Sequence, residues 1–128
     1  MERTRVSSGA SWEPKLGYCR AVRAGNQIFV SGTIAIDADG HIVGPGDPYV
    51  QALHILRIIA HALEELGSSL SDVVRTRIYL ANFNDLEEVG RAHRETFANF
   101  PPANTVIEVA RLIEQAHRVE IEADAIVS

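Results

Sequence analysis

Only one cysteine, Cys19, occurs in the 128 residues, so no internal disulfide framework is available. Cys19 itself reads as a small buried residue, since no histidine is placed beside it to activate a thiolate. Aromatic residues make up 6% of the chain. No apolar run reaches the ~18–20 residues of a membrane span. The N-terminus lacks the apolar core of a signal peptide, so no membrane partner and a cytoplasmic location are expected. Basic residues are in deficit: twelve Lys and Arg stand against seventeen Asp and Glu, a formal charge of −5. A nucleic-acid binder needs a concentrated basic footprint to displace counterions, and this balance speaks against one. There is no Gly-x-Gly-x-x-Gly and no phosphate loop, and hence no sign of a nucleotide cofactor. Asp37-Ala38-Asp39-Gly40 opens like a calcium loop, but the later ligands and the closing Glu are missing. His54 and His61 lie about two turns apart on a helix, too far to share a metal, so no metal site is expected.

What is present reads as one domain over residues 1–128, with 46% hydrophobic and 23% charged residues. Residues 1–16 read as polar and irregular. Tyr18–Arg23 and Gln27–Ile34 read as strands around an Ala24-Gly25-Asn26 turn. Asp47 can cap a helix that has Pro48 at its first position and Gly67 just beyond its end. Ala52, Leu56, Ile59, Leu63 and Leu66 recur at helical spacing and form its core face, leaving His54, Arg57, His61, Glu64 and Glu65 toward solvent.

Val73–Leu80 alternates, with Val74, Thr76, Ile78 and Leu80 on one face and Arg75, Arg77 and Tyr79 on the other. Asn84 and Glu87 suit a capping box for a second helix, whose stripe is Leu86, Val89, His93, Phe97 and Phe100. Pro101-Pro102 ends it. In the last strand Val119, Ile121, Ala123, Ala125 and Val127 oppose Arg118, Glu120, Glu122 and Asp124. The order β-β-α-β-α-β-β predicts an α+β fold, a mixed β-sheet with two helices packed on one face. The opposite face is charged, yet it includes Phe29, Tyr79 and Val106.

Gly17-Tyr18-Cys19-Arg20-Ala21, Ile28-Phe29-Val30-Ser31-Gly32, Pro102-Ala103-Asn104-Thr105 and Val119-Glu120-Ile121-Glu122 follow one another along the chain. In these segments and their order, from about Tyr18 to Val127, the chain resembles the RidA/YjgF family, the reactive-intermediate deaminases. The resemblance implies a chorismate-mutase-like fold and a homotrimer with the charged sheet faces packed together. It also implies three intersubunit clefts that take a small-molecule metabolite, and hydrolysis of an imine, enamine or related C–N bond without a cofactor.

Carried over by resemblance, Glu120 matches the glutamate that positions or activates the attacking water, a task suited to a desolvated carboxylate. Tyr18 matches the cleft tyrosine, and Ser31 and Gly32 match a Ser-Gly pair in which glycine admits close backbone approach. Asn104 departs from the family. Arginine stands there in the deaminating members and holds the substrate carboxylate with a charged two-pronged hydrogen bond, which an asparagine amide cannot copy.

Other departures are Cys19-Arg20 for Ser-Gln, Thr33 for Gln, and Gly90 and His93 for Asn and Tyr. Arg20, two residues from Tyr18, is a candidate for the missing cation. His93 can titrate near neutrality, but its apolar stripe favours a packed histidine. Arg111, in Val109-Ala110-Arg111-Leu112, reads as structural. Two alternatives to the divergent deaminase stay open. One is a ligand-binding or regulatory trimer without turnover. The other is the endoribonuclease activity by which the family is often named, for which no His/His/Lys or metal-carboxylate set is found.

Overall fold

A computed structural model describes residues 2–128. Six strands form a mixed sheet in the order β1-β2-β3-β6-β4-β5. These are β1 (Arg3–Val6), β2 (Ala21–Ala24), β3 (Gln27–Thr33), β4 (Val73–Leu80), β5 (Ala103–Glu108) and β6 (Val119–Ile126). Among the described residues only β4 and β5 run parallel. Helices α2 (Pro48–Glu65) and α3 (Leu86–Phe97) pack on each other, and α2 lies over β3 and β6. The α+β arrangement expected from the sequence is the one observed.

Residues 1–16 are more ordered than their composition suggests. β1 pairs with β2 through Arg3↔Ala24 to Val6↔Ala21, and α1 spans Trp12–Leu16. An edge strand of exposed Arg and Thr has no apolar alternation to betray it, and its charges suit an unpaired edge. β2 starts later than expected. Gly17, at φ 78°, closes α1 in the left-handed region, and the Tyr18 N–H still donates to Glu13 O at 3.0 Å. Tyr18 and Cys19 therefore belong to the helix exit. Cys19 is half-buried, with Sγ 3.4 Å from Ala21 O.

α2 begins as expected, with Asp47 Oδ1 accepting from Val50 N at 3.1 Å and Pro48 following it. Ala52, Leu56, Ile59, Leu63 and Leu66 are all buried, joined by Ile55 and Ala62. Fully burying a Leu or Ile contributes about 1.5–3 kcal/mol, so this stripe is a main source of stability. On the outer side, His61 pairs with Glu65 at 2.7 Å in solvent. His54 is not a freely solvated residue: it is half-buried, with Nε2 3.0 Å from Ile36 O.

Four expectations need correction. A bulge between Val73 and Arg75 turns Val73 into the core at 4% exposure and leaves Val74 out at 43%. Beyond it, Thr76, Ile78 and Leu80 face inward as expected. The capping box does not form. Asn82 instead accepts from Asn84 N at 2.9 Å, opening a 3₁₀ turn over Phe83–Asp85 before α3. Asp85 is buried and takes a two-pronged bond from Arg118, both contacts at 2.8 Å. Leu86 is exposed as a result, while Val89 and Phe97 are buried. Val106 packs against the core rather than standing on the charged face, and Ile107 is the exposed apolar residue of β5.

One core group is at odds with its surroundings. His117 is 1% exposed, and among the described residues neither ring nitrogen has a hydrogen-bond partner. Burial pushes its pKa down from 6.5, partly offset by Glu114. Above pH 6.5 the ring is neutral in both folded and unfolded chains. As pH falls below that value the unfolded chain takes up the proton first, so stability declines. His117→Leu is expected to gain about 1–2 kcal/mol in urea unfolding by removing unsatisfied polar atoms, and to flatten the loss between pH 6.5 and 5. Unchanged acid sensitivity in that variant would assign the loss to another group.

Candidate functional site

The β3–β6 ladder breaks between Val30 and Thr33, so Ser31 and Gly32 sit in an irregular step. Glu120 of the neighbouring strand lies against this step. A Cβ built on Gly32 would overlap the Glu120 Oε2 and come 3.2 Å from its carboxyl carbon. Only glycine lets the carboxylate of β6 lie against the β3 backbone. Burial raises the Glu120 pKa above 4.5; nearby Arg20 opposes the rise and Glu122 adds to it. A half-buried carboxylate that binds a proton more readily than usual is suited to general acid–base work.

Arg20 and Tyr18 flank this step. Ser31 fastens the arriving chain, with its N–H donating to Arg20 O at 2.9 Å and its Oγ to Cys19 O at 2.8 Å. The Arg20 guanidinium is buried, at 4% residue exposure. It donates to Gly32 O at 2.6 Å, Thr33 Oγ1 at 3.0 Å and Glu13 Oε2 at 3.3 Å, and it reaches Tyr18 Oη at 3.4 Å. Tyr18 is 36% exposed.

Sequence reasoning missed Glu13, which is 2% exposed and accepts from Ser7 and Ser8 as well as Arg20. Its burial works to raise its pKa, but the bonds from Ser8 and Ser7 and the charge of Arg20 outweigh it and the pKa falls. In the sequence Trp12-Glu13-Pro14 reads as a breaker, and its flanks, Ser7 to Ser11 and Pro14 to Gly17, give no sign that the carboxylate is buried.

Tyr18, Arg20, Ser31, Gly32 and Glu120 thus form one cluster. Asn104 does not join it. Asn104 pairs with Thr76 while Glu120 pairs with Tyr79, three positions along β4, or about 10 Å at strand spacing. Its Nδ2 donates to Thr76 Oγ1 at 2.9 Å and Thr76 O at 3.4 Å. Thr76 Oγ1 lies 2.8 Å from His93 Nε2, so the histidine of α3 is partnered as well as packed.

On the open sheet face, Arg77 pairs with Asp124 at 3.2 Å and Glu122 at 3.8 Å within the chain, and Tyr79 donates to Glu122. That bond raises the Tyr79 pKa above 10.0. Arg111 is exposed; the structural arginine of this region is Arg118.

A cavity of ≈ 390 Å³ lies on the α2 side of Arg20, between Ile36, His54, Arg57, Ile58 and His61. Neither Glu120 nor Asn104 lines it, so this cavity and the desolvated carboxylate are separate features. Asp37, Asp39 and His41 bring ligand atoms within 4.8 Å of one another at a surface turn. There Asp37 Oδ1 accepts from the N–H groups of Asp39 and His41, each at 2.9 Å, a local role that needs no ion. Among the described residues no helix is long and apolar enough to cross a membrane.

The chain is similar to known proteins over nearly its whole length. The family described as Endoribonuclease L-PSP matches residues 9–127. A crystal structure from Mycobacterium tuberculosis, titled a member of the highly conserved YjgF/YER057c/UK114 family, superposes with a TM-score of 0.88 at 42% identity. It covers 98% of this chain and 100% of that one. An uncharacterised protein of Streptomyces coelicolor is 39% identical over 94% of this chain and 90% of its own. The 3-aminoacrylate deaminase RutC of Acinetobacter baylyi is 32% identical over 88% of each. The family match over most of the chain, the matching fold and these relatives agree, and the chain belongs to the RidA/YjgF family.

Proposed function

We propose that this protein assembles as a homotrimer whose intersubunit clefts bind a small polar metabolite and hydrolyse a C–N double bond with Glu120 as the acid–base group. The observation that carries this reading is the desolvated Glu120 carboxylate seated against Gly32 beside Tyr18 and Arg20. Water would add to the polarised C=N carbon, giving a proton to Glu120 as the C–O bond forms. Glu120 returns that proton to nitrogen, the carbinol hydroxyl gives up its own proton through Glu120 as the C–N bond breaks and C=O forms, and ammonia leaves, so the step balances without a metal or organic cofactor. Asn104 stands apart from Glu120 within one chain, and a second copy bringing its β5 edge to the cluster would complete the site. Exposed Phe29 and Val74 on the sheet support such packing.

A second reading is a binding or regulatory trimer without turnover. It is favoured by Asn104, whose amide donor is already engaged with Thr76. The family description also names an endoribonuclease, and the net charge of −5 weighs against that activity.

The test generates 2-iminopropionate or 2-iminobutyrate in situ and follows its loss. The parent chain is expected to be slow. Asn104→Arg, which restores a charged fork, is expected to gain roughly 10- to 100-fold. Light scattering should give three times the 14.0 kDa chain mass. A monomer, or no gain from Asn104→Arg in an intact trimer, would remove the catalytic reading.

A further inference from the structure

Thr76 is fully buried beneath α3, and its hydroxyl touches Asn104 Nδ2 at 2.9 Å and His93 Nε2 at 2.8 Å. The orientation of the Asn104 amide follows from its other contact, Thr76 O at 3.4 Å, because a carbonyl oxygen can only accept. The amide nitrogen therefore points inward and donates. Thr76 Oγ1 accepts that bond and has one hydrogen of its own to give. His93 Nε2 lies within reach of the same hydroxyl and holds Thr76 Oγ1 from the α3 side. Burial also pushes the His93 pKa down, and Phe97 covers the ring at 4.7 Å.

Asn104 thus donates into Thr76, whose hydroxyl is itself held by His93. What remains outward is Asn104 Oδ1, on an exposed residue, with no donor reaching it among the described residues. A carboxylate brought to that oxygen would set two acceptors face to face. Turning the amide to offer Nδ2 would break both inward bonds and aim Oδ1 at the Thr76 carbonyl.

We propose that Asn104, held by Thr76 and His93, presents a fixed hydrogen-bond acceptor that selects ligands bearing a primary carboxamide over those bearing a carboxylate. This rests on the cleft reading above and gives its substrate class. Thr76 and His93 are positioning residues for that acceptor.

The experiment titrates butanamide and butanoate, matched in size, into the full chain and reads dissociation constants by ligand-observed NMR. Butanamide is expected to bind about 10-fold tighter, the equivalent of one well-made hydrogen bond. Thr76→Val should free the amide and bring the two probes within roughly 2-fold, while Thr76→Ser, which keeps the hydroxyl, should restore the preference. Asn104→Arg should reverse it. A fold defect alone would weaken both probes together and leave their ratio unchanged.

Butanoate preferred by the parent, or a Thr76→Val ratio equal to the parent's, overturns the inference. If Asn104→Arg takes up butanoate while the parent shows no preference, the cleft stands and only the acceptor assignment fails. Binding of neither probe to either protein removes both.

Discussion

Arg20→Ala is expected to cost about 3–5 kcal/mol in equilibrium unfolding, because it strips the partner from a buried carboxylate. Glu13 is 2% exposed and Arg20 is 4% exposed. The serine bonds would remain, but the charge of Glu13 would lose its counterion and the Gly32 and Thr33 oxygens would lose a donor. A domain of this size has roughly 5–15 kcal/mol of stability, so the loss is a large share of the total.

Replacing both partners by Met should cost far less than Arg20→Ala alone, since no buried charge is then stranded. Urea unfolding of the two single variants and the double variant gives the coupling directly. A loss under about 1 kcal/mol for Arg20→Ala would show that the pair does not hold the N-terminal segment to β3. The same geometry bears on Arg20 as a ligand cation. Its remaining donor capacity lies on the side facing Tyr18, where the 3.4 Å contact is long enough to exchange for an anion. Ligand binding is therefore better probed with Arg20→Lys, which keeps the buried charge, than with Arg20→Ala.

Much of this architecture follows from local chemistry along the chain. Asp47-Pro48 and Gly67 mark the ends of α2 by capping, and the two-residue period of Val119–Val127 puts Glu120 on the open face before any neighbour is known. Gly32 was legible as a close-approach position; that the approaching group is Glu120 was not, since the two are brought together by strand pairing across most of the chain. Val74 misled because a bulge resets the alternation by one residue, and nothing in Val73-Val74 says which valine turns inward. β1 and Glu13 were invisible for a related reason. Their partners, Ala21–Ala24 and Arg20, come after a helix and a turn, and exposed arginines carry no burial signal. His93 and Asn104 were read as separate departures from the family; Thr76, unremarkable in sequence, joins them.

The division of the candidate site has a physical consequence. Arg20 is held by Gly32 O and reaches Tyr18 within the chain, and Glu120 lies against Gly32, so on the proposed cleft reading one subunit would supply this half of the site. Asn104 is equally fixed, but on the far edge strand. Its exchange for arginine therefore changes ligand choice without disturbing the glutamate, and the two halves can vary independently.

Glu120→Gln is expected to abolish turnover while making the protein more stable at neutral pH, two effects of opposite sign from one atom. Burial holds the Glu120 pKa above 4.5 in the folded chain, whereas the unfolded carboxylate titrates near its ordinary value. Between those two values the folded chain keeps a proton that the unfolded chain has released. Stability therefore falls as pH rises through this window and stays reduced at pH 7. Glutamine preserves the shape against Gly32 and removes the charge, so the deficit disappears.

Thermal unfolding at pH 7 should move upward, by roughly 3–6 °C for each kcal/mol recovered in a domain of this length. The advantage should vanish toward pH 4, where the parent carboxyl is protonated in either state. Turnover is read in the Asn104→Arg background, where it is expected to be measurable. There the loss of the proton acceptor should reduce the rate by about 100-fold or more with binding nearly intact. A variant that is less stable at pH 7 would mean that Glu120 serves chiefly as the counterion of Arg20, and the assignment of the acid–base group would have to move elsewhere.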